Sequence, residues 1–518
     1  MTTDKKFLFL TRKDWLALLL CLATGSALSA FLLYDVLCDL TNYHYYNGFA
    51  FVHNRYDIDV APAGYHSFFN PLPDVVNWFL IKHLDTKPRL YFALTGLPFG
   101  LLLFVCLKIN RLFFNSKTAV AASVILGATG FATWFQIGST TNEIPVAVLV
   151  LTALYWMLKG EKELVAAFLL GAAAGLKPTA ATYCLSSGIV FIAFNRRDFK
   201  RIGLFALCGV LGFLATNGFW MYRLYTMYQN PFFPFFNGVF RSPWFAAENF
   251  SPMRLEAPDL NTSLPKLLLL PLLLISVTEG SEPTLDHTTF SDFRWFFAAV
   301  LLVVWIFKAR TVRLTRPEKF LAFWLIVSYA VWFKAFLVVR YLIPVEMMLP
   351  VFFVKAAASW HPLTGSIVRQ AVKISACVVL FAMCVGTVWN SGAWGKLSAT
   401  ENARLRPDFP DKLIVPENTV FLTSGNRNSM FLAQVAEKAN IKIVNRDENL
   451  WPFIAKMKWG EKIKNAVNEP AVKALWMTSG TSAITVDGMT CRPFRADLFH
   501  TVCFPDKIAG VAFLMFQP

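Results

Sequence analysis

The sequence predicts an all-α polytopic membrane bundle of about eleven transmembrane helices, followed by a small C-terminal α/β extracytoplasmic domain. Three observations predict it. The 518 residues are 56% hydrophobic and only 16% charged, whereas about a quarter of a soluble chain is charged. Apolar runs of near-bilayer length recur from residue 15 to residue 389. The net charge of +16 sits in short loops between those runs, which is the positive-inside pattern of membrane proteins and not the footprint of a nucleic-acid binder.

Taken in order, the predicted spans are 15–34, 91–107, 118–136, 143–158, 164–176, 181–195, 202–222, 293–308, 319–336, 341–357 and 371–389. The basic N-terminus could belong to a cleaved signal peptide. The long apolar run and the poor cleavage site at Tyr34-Asp35 favour a retained span instead. With the N-terminus cytoplasmic, the basic groups Lys5–Lys13, Lys108–Lys117, Arg196–Arg201 and Lys308–Lys319 all fall inside. Loops 35–90 and 223–292, the turns at 137–142 and 177–180, and the C-terminal segment then fall outside. Residues 72–84 and 264–278 are apolar without being full spans, and read as helices in the outer interface. A re-entrant path is the alternative for 264–278. The chain thus divides into a transmembrane domain, 1–389, and a small domain, 390–518. In the latter, NTVFLTSG, SMFLAQVAEKAN, IKIVNRD and KALWMTSG read as strand, helix, strand and strand.

Of nine cysteines, Cys21, Cys106, Cys184, Cys208, Cys377 and Cys384 lie in or beside spans and read as packing residues. Cys491 and Cys503 fall in the outer domain, where a disulfide is permitted. The sequence has no HExxH, CxxC pair, Walker A loop or GxSxG, so ATP-driven transport and soluble-type hydrolase chemistry find no support.

The polar chemistry concentrates in Asp35–Pro71, directly after the first span. That stretch carries Asp35, Asp39, Asp57 and Asp59, with His44, His53 and His66 among five tyrosines. Charge is kept beside a membrane where it is used or hydrated. Asp57-Ile-Asp59 is a DxD triplet, a weak pattern that a solvated turn also explains. Further acids and cations sit at the predicted outer ends of spans: Glu143 at the start of the fourth, Lys177 at an outer turn, and Lys334 and Arg340-Tyr341 around the tenth. Each has a plainer explanation. Asp39 could cap a helix, Glu143 could serve a helix dipole, and the cations could snorkel to headgroups. Asn230–Asn237 is an aromatic, proline-stiffened loop suited to an isoprenoid chain, a sugar or an interfacial belt. Glu279, Glu282, Asp286, His287 and Asp292 follow in the next loop.

The segment Asp39-Leu-Thr-Asn42-Tyr43-His44-Tyr45-Tyr46 just past the first span resembles the first-loop acidic motif of GT-C glycosyltransferases, and Arg340-Tyr-Leu-Ile-Pro344 is similar to a motif near their donor site. That family includes protein mannosyltransferases and aminoarabinose lipid A transferases, and the resemblance covers roughly residues 15–360. It implies a polyprenyl-phosphate-linked sugar donor, an acceptor glycan, lipid or protein, and a place in a bacterial inner membrane. It also implies Asp39 as general base, with Asp59 and Glu143 as further acids. Arg340, Tyr341, Lys177 and Lys334 would bind the donor, beside Asn42, Tyr43 and His44. No metal and no cofactor is required by this scheme. A transporter or lipid flippase is the rival class, predicting polar residues deep in spans and paired broken helices. A surface-glycan polymerase or ligase is a rival enzyme.

Overall fold

The computed structural model describes residues 11–32, 39–250, 292–307, 313–336, 338–359, 405, 418–424, 429–447, 450–468, 472–478, 489–493 and 500–505. The chain forms two compact units. The first holds residues 1–35, 92–216 and 259–396, and the second 36–91, 217–258 and 397–518.

The first unit is helical. Among the described residues, the helices Arg12–Leu32, Pro88–Asn110 and Phe199–Tyr228 are long and apolar enough to cross a membrane. Shorter apolar helices include Lys117–Ala128 and Glu163–Leu176. Their ends are sealed locally. Ser116 accepts the Ala119 N–H at the start of Lys117–Ala128. Thr315 and Glu318 form a capping box at Arg316–Ala335, which satisfies donors that a helix start otherwise leaves open. Gly160, at φ +67°, closes Glu143–Lys159, with its N–H on Met157 O and the Glu161 N–H on Trp156 O, a Schellman ending.

Small residues let these helices meet backbone to backbone. Gly25 and Ser29 of the first helix face Gly96 and Gly100. A Cβ on Gly100 would lie 2.6 Å from Cys21 O and from Leu22 Cα. Gly171 and Gly212 make the same kind of approach between Glu163–Leu176 and the 199–216 helix. This is the packing expected where lipid supplies no hydrophobic drive between helices. Leu102, Cys106, Ala147, Leu151, Trp324 and Met347 lie in the core.

Two predicted spans differ from single helices. The 118–136 run is Lys117–Ala128 followed, after a break at Thr129-Gly130, by Phe131–Phe135. The 341–357 run opens with a 3-10 turn, Val339–Leu342, and continues as Ile343–Met348 and Pro350–Ser359. The physical cause of the first break is Glu346. Its carboxylate accepts the backbone N–H groups of Ala132 (3.0 Å) and Thr133 (2.8 Å) and the Thr133 hydroxyl (2.6 Å). Beside it, Asp292 accepts the Phe131 N–H at 3.1 Å and pairs with Arg294 at 2.8 Å, both side chains fully buried. Arg294 in turn donates to Leu126 O and Thr129 O. These charges satisfy the backbone groups that the break frees. The predicted span 371–389 and the segment 264–278 lie outside the described residues, as do Asp35, Glu279, Glu282, Asp286, His287, Cys377 and Cys384.

The second unit contains a five-stranded sheet. β1 (Thr419–Ser424) runs parallel to β2 (Ile441–Asn445) and β3 (Val472–Thr478). β5 (His500–Pro505) is antiparallel to β3 and to β4 (Met489–Pro493), giving the order β2-β1-β3-β5-β4. The register sets Cys491 opposite Cys503. The helix Ser429–Lys438 lies between β1 and β2, and two helices the sequence reading left out, Trp451–Ile454 and Lys458–Asn468, lie between β2 and β3. The helices Tyr45–Val52 and Leu72–Leu84 belong to the same unit. So does the 230–237 loop, which is folded by Asn230 and Asn237 onto surrounding carbonyls. Val60, Phe68, Trp220, Phe233, Phe245, Val420, Val444 and Trp459 form its apolar core.

Candidate active site

Each unit gathers one set of the residues singled out by sequence. In the first unit, the turn at 136–142 ends at Asn142, which adopts φ +65° and launches the helix Glu143–Lys159. Lys177 leaves the end of Glu163–Leu176 in an extended conformation before Pro178. Its Nζ donates to Thr141 O at 2.6 Å and to Glu143 Oε1 at 2.5 Å. Arg340, from the turn Val339–Leu342, brings its Nε to 3.5 Å from the same Glu143 oxygen. The side chains are 15% (Lys177), 4% (Glu143) and 14% (Arg340) exposed. Lys177 Nζ and Arg340 Cζ each lie 5.6 Å from the Tyr341 ring centre. The Tyr341 carbonyl accepts the Tyr183 hydroxyl at 2.5 Å. Two cations thus share one carboxylate on one aromatic ring, and the three charged side chains together are net positive. Lys334 stands exposed in the last turn of Arg316–Ala335.

In the second unit, Asp39, Asn42, Tyr43 and His44 occupy a single π-helical turn. Asp39 is its N-cap and Leu40–His44 its body. Single π-turns recur at functional sites. Asn42, Tyr43 and His44 are buried, and the Asn42 carbonyl accepts the Ser429 hydroxyl. The Asp39 Oδ2 atom is shielded from solvent. The Tyr43 ring lies 4.0 Å from that of His44 and stacks at 4.6 Å on His66. His44 Nδ1 is 2.6 Å from Asp74 Oδ1. Gly48 allows that pairing, because a Cβ there would sit 2.5 Å from Asp74 O.

The DxD pair separates. Asp57 is exposed in the turn Arg55–Asp57. Asp59 is buried and receives Arg55 Nε and Nη2 at 2.9 and 2.8 Å, the Tyr46 hydroxyl at 3.0 Å and the Ile443 N–H at 2.9 Å. Burial pushes the Asp59 carboxyl above its ordinary value, against the opposing pull of Arg55 and the other donors. Burial likewise holds the Tyr46 phenol well above its usual range, so it remains a donor. Among the described residues, no cluster of three His, Cys, Asp or Glu could hold a metal ion.

Sequence reasoning passed over Arg55, Glu346 and Arg294. An acid inside the apolar run Ile343–Pro350 is the signal that would have found Glu346, since intramembrane charge is retained only for a purpose. Arg55 left a fainter one, an i,i+4 spacing from Asp59.

No family model matches this sequence, and no curated protein matches it. The fold is shared with ArnT from Cupriavidus metallidurans, a crystal structure with undecaprenyl phosphate bound. It aligns over 95% of this chain and 98% of its own, with a TM-score of 0.56 and 12% sequence identity. At that identity the likeness is one of fold.

Proposed function

We propose that this chain is a membrane glycosyltransferase that moves a sugar from a polyprenyl-phosphate donor to an acceptor glycan, lipid or protein on the outer face of a bacterial inner membrane. The observation that carries the reading is the Lys177–Glu143–Arg340 cluster, a net positive and sheltered group within a fold shared with a protein crystallised with undecaprenyl phosphate. Arg offers a fork for two phosphate oxygens and Lys a point charge. Glu143, which both cations already engage, acts in this reading as the spacer that holds them apart before the phosphate arrives. Tyr341 supports both from beneath.

The chemistry follows from these roles. Asp39 takes the proton from the acceptor hydroxyl. The acceptor oxygen bonds to the sugar C1 as the C1–O bond to phosphate breaks, through a state of oxocarbenium character. The bonding pair stays on the phosphate oxygen, and Arg340 and Lys177 stabilise that growing charge in surroundings drier than water. Asp59, held by four donors, is assigned to scaffolding. Asn42 and Tyr43 shape the loop around Asp39, and Lys334 meets the donor before it enters.

The test uses undecaprenyl phosphate itself. Purified protein in detergent is expected to bind it saturably. Arg340→Ala should weaken binding at least about tenfold, about 1.4 kcal/mol, and Arg340→Lys should fall between, because it keeps charge and loses the fork. No binding by the wild-type protein, or equal binding by Arg340→Ala, overturns the reading.

A further inference from the structure

His44 carries more than its place in the loop requires. Its ring is buried, 4% exposed, and clamped through Nδ1 by the equally buried Asp74 at 2.6 Å. Asp74 is itself steadied by the Asn47 side-chain amide at 3.4 Å, and Asn47 also donates to His66 O at 3.0 Å. The other ring nitrogen, Nε2, is shielded from solvent and has no hydrogen-bond partner among the described residues. A buried polar atom left unmet is costly, so a nitrogen kept in that state awaits a partner. Asp74 decides what kind. A carboxylate on Nδ1 holds the proton there, which leaves Nε2 as a lone pair able to take a proton and become an imidazolium that Asp74 stabilises. The turn supplies the direction. Hydrogen bonds in a π-turn run i→i+5, and the Tyr45 N–H on Leu40 O shows that spacing. Asp39 and His44, five residues apart, therefore fall on one side of the turn.

We infer that the His44–Asp74 pair is the proton relay of this site, resting on the transferase reading above. Asp39 takes the acceptor proton as the new C1–O bond forms and the C1–O bond to phosphate breaks. The Asp39 carboxyl then passes that proton, through one bridging water, to His44 Nε2. Asp39 is returned to its anionic form, and the imidazolium later gives the proton to water. His44 acts through Asp39, so it is a positioning residue and not one that touches substrate.

The elements packed on the turn bring other titratable and charged groups. Besides Asp74, the Leu72–Leu84 helix carries Lys82 and His83. Tyr45–Val52 carries Tyr45 and Tyr46 and ends at His53. Ser429–Lys438 carries Glu437 and Lys438, and His66 stacks on Tyr43. Glu437 is occupied by Lys82 at 3.8 Å and by the Tyr45 hydroxyl at 3.3 Å, which leaves Asp74 as the charge set directly on the His44 ring.

The experiment reads turnover of the native lipid-linked sugar in membrane vesicles holding the full chain, as polyprenyl phosphate released, across pH 5–8. His44→Gln is expected to lower kcat at least about tenfold, at the mild end of losses in proton-transfer catalysis, with KM unchanged. Asp74→Asn, which can still accept from Nδ1, should also lower kcat with KM unchanged, because it still orients the ring but no longer balances the imidazolium. It also serves should His44→Gln fail to accumulate. An unaltered kcat in either variant overturns the relay while leaving the transferase reading intact. Absence of wild-type turnover overturns both.

Discussion

Replacing Arg55 with Met tests whether Asp59 is scaffold or chemistry. The substitution keeps most of the side-chain volume and removes the guanidinium. It deletes two charge-assisted bonds to Asp59, at 2.9 and 2.8 Å, and one to Ile441 O at 2.5 Å. Asp59, 3% exposed, keeps the Tyr46 hydroxyl and the Ile443 N–H, but loses its counter-charge. Breaking a buried pair from one side costs about 3–5 kcal/mol, a large share of a typical total of about 5–15 kcal/mol. Chemical unfolding of purified protein, followed by tryptophan fluorescence, reads the loss. The deficit should depend on pH. Without Arg55 nothing offsets burial as strongly, so the folded carboxyl rises further above its unfolded value. The protonated form then supports the fold at low pH, and that support is lost as pH climbs through the raised value. The deficit should therefore be smaller at pH 5 than at pH 8. Asp59→Asn, corrected for folded amount, should keep turnover within about threefold, well short of the loss expected for a catalytic acid or base. A deficit under about 1 kcal/mol for Arg55→Met, the range of an exposed pair, would refute the scaffold argument, as would a folded but inactive Asp59→Asn.

Three further outcomes are expected. Asp39→Asn should lower turnover by a factor on the order of 10²–10⁴ at normal abundance in membranes, whereas retention of more than about a tenth moves the base elsewhere. Gly100→Leu should cost at least about 1–3 kcal/mol in thermal unfolding, as overpacking does, because its Cβ would meet Cys21 O and Leu22 Cα at 2.6 Å. An unchanged melting temperature would mean that the 12–32 and 97–110 helices are not in contact there. A reporter active only outside the cytoplasm should report when fused after residue 400 and stay silent near residue 313; the reverse at either site inverts the orientation.

Much of the helical architecture was legible because long apolar runs mark helices, and the helix start at Glu143 and the strand at Thr419 were readable from local pattern alone. Contacts across long sequence distances were not. Nothing local in VEMM says that Glu346 holds the N-terminus of Phe131–Phe135, since the helix break there depends on an acid over two hundred residues away. The glycine crossings were equally silent, because a lone Gly in an apolar run looks the same whether or not a neighbouring backbone presses on it. The Lys177–Glu143–Arg340 cluster shows the opposite case. Each member was conspicuous as a charge at the end of an apolar run, and the structure adds that the two cations share one Glu143 oxygen. Asp57 and Asp59 looked equivalent as a triplet. Burial, which no two-residue spacing encodes, separates them.

The edge of the sheet carries a consequence for biosynthesis. Val60 bridges to Val444 on β2 in parallel fashion, and Asp59 takes the Ile443 N–H across 384 residues of sequence. An outer strand with unpaired amides is a template for aggregation, and here a stretch of the first loop fills that role from within. That loop leaves the ribosome 384 residues ahead of its strand partner, Val60 against Val444. Contact order at this point is very high, a condition that slows folding. For much of translation the loop must therefore wait without its partner. A fragment beginning near residue 397 would carry β2 with a bare rim, and should associate with itself unless residues 55–62 are supplied in trans.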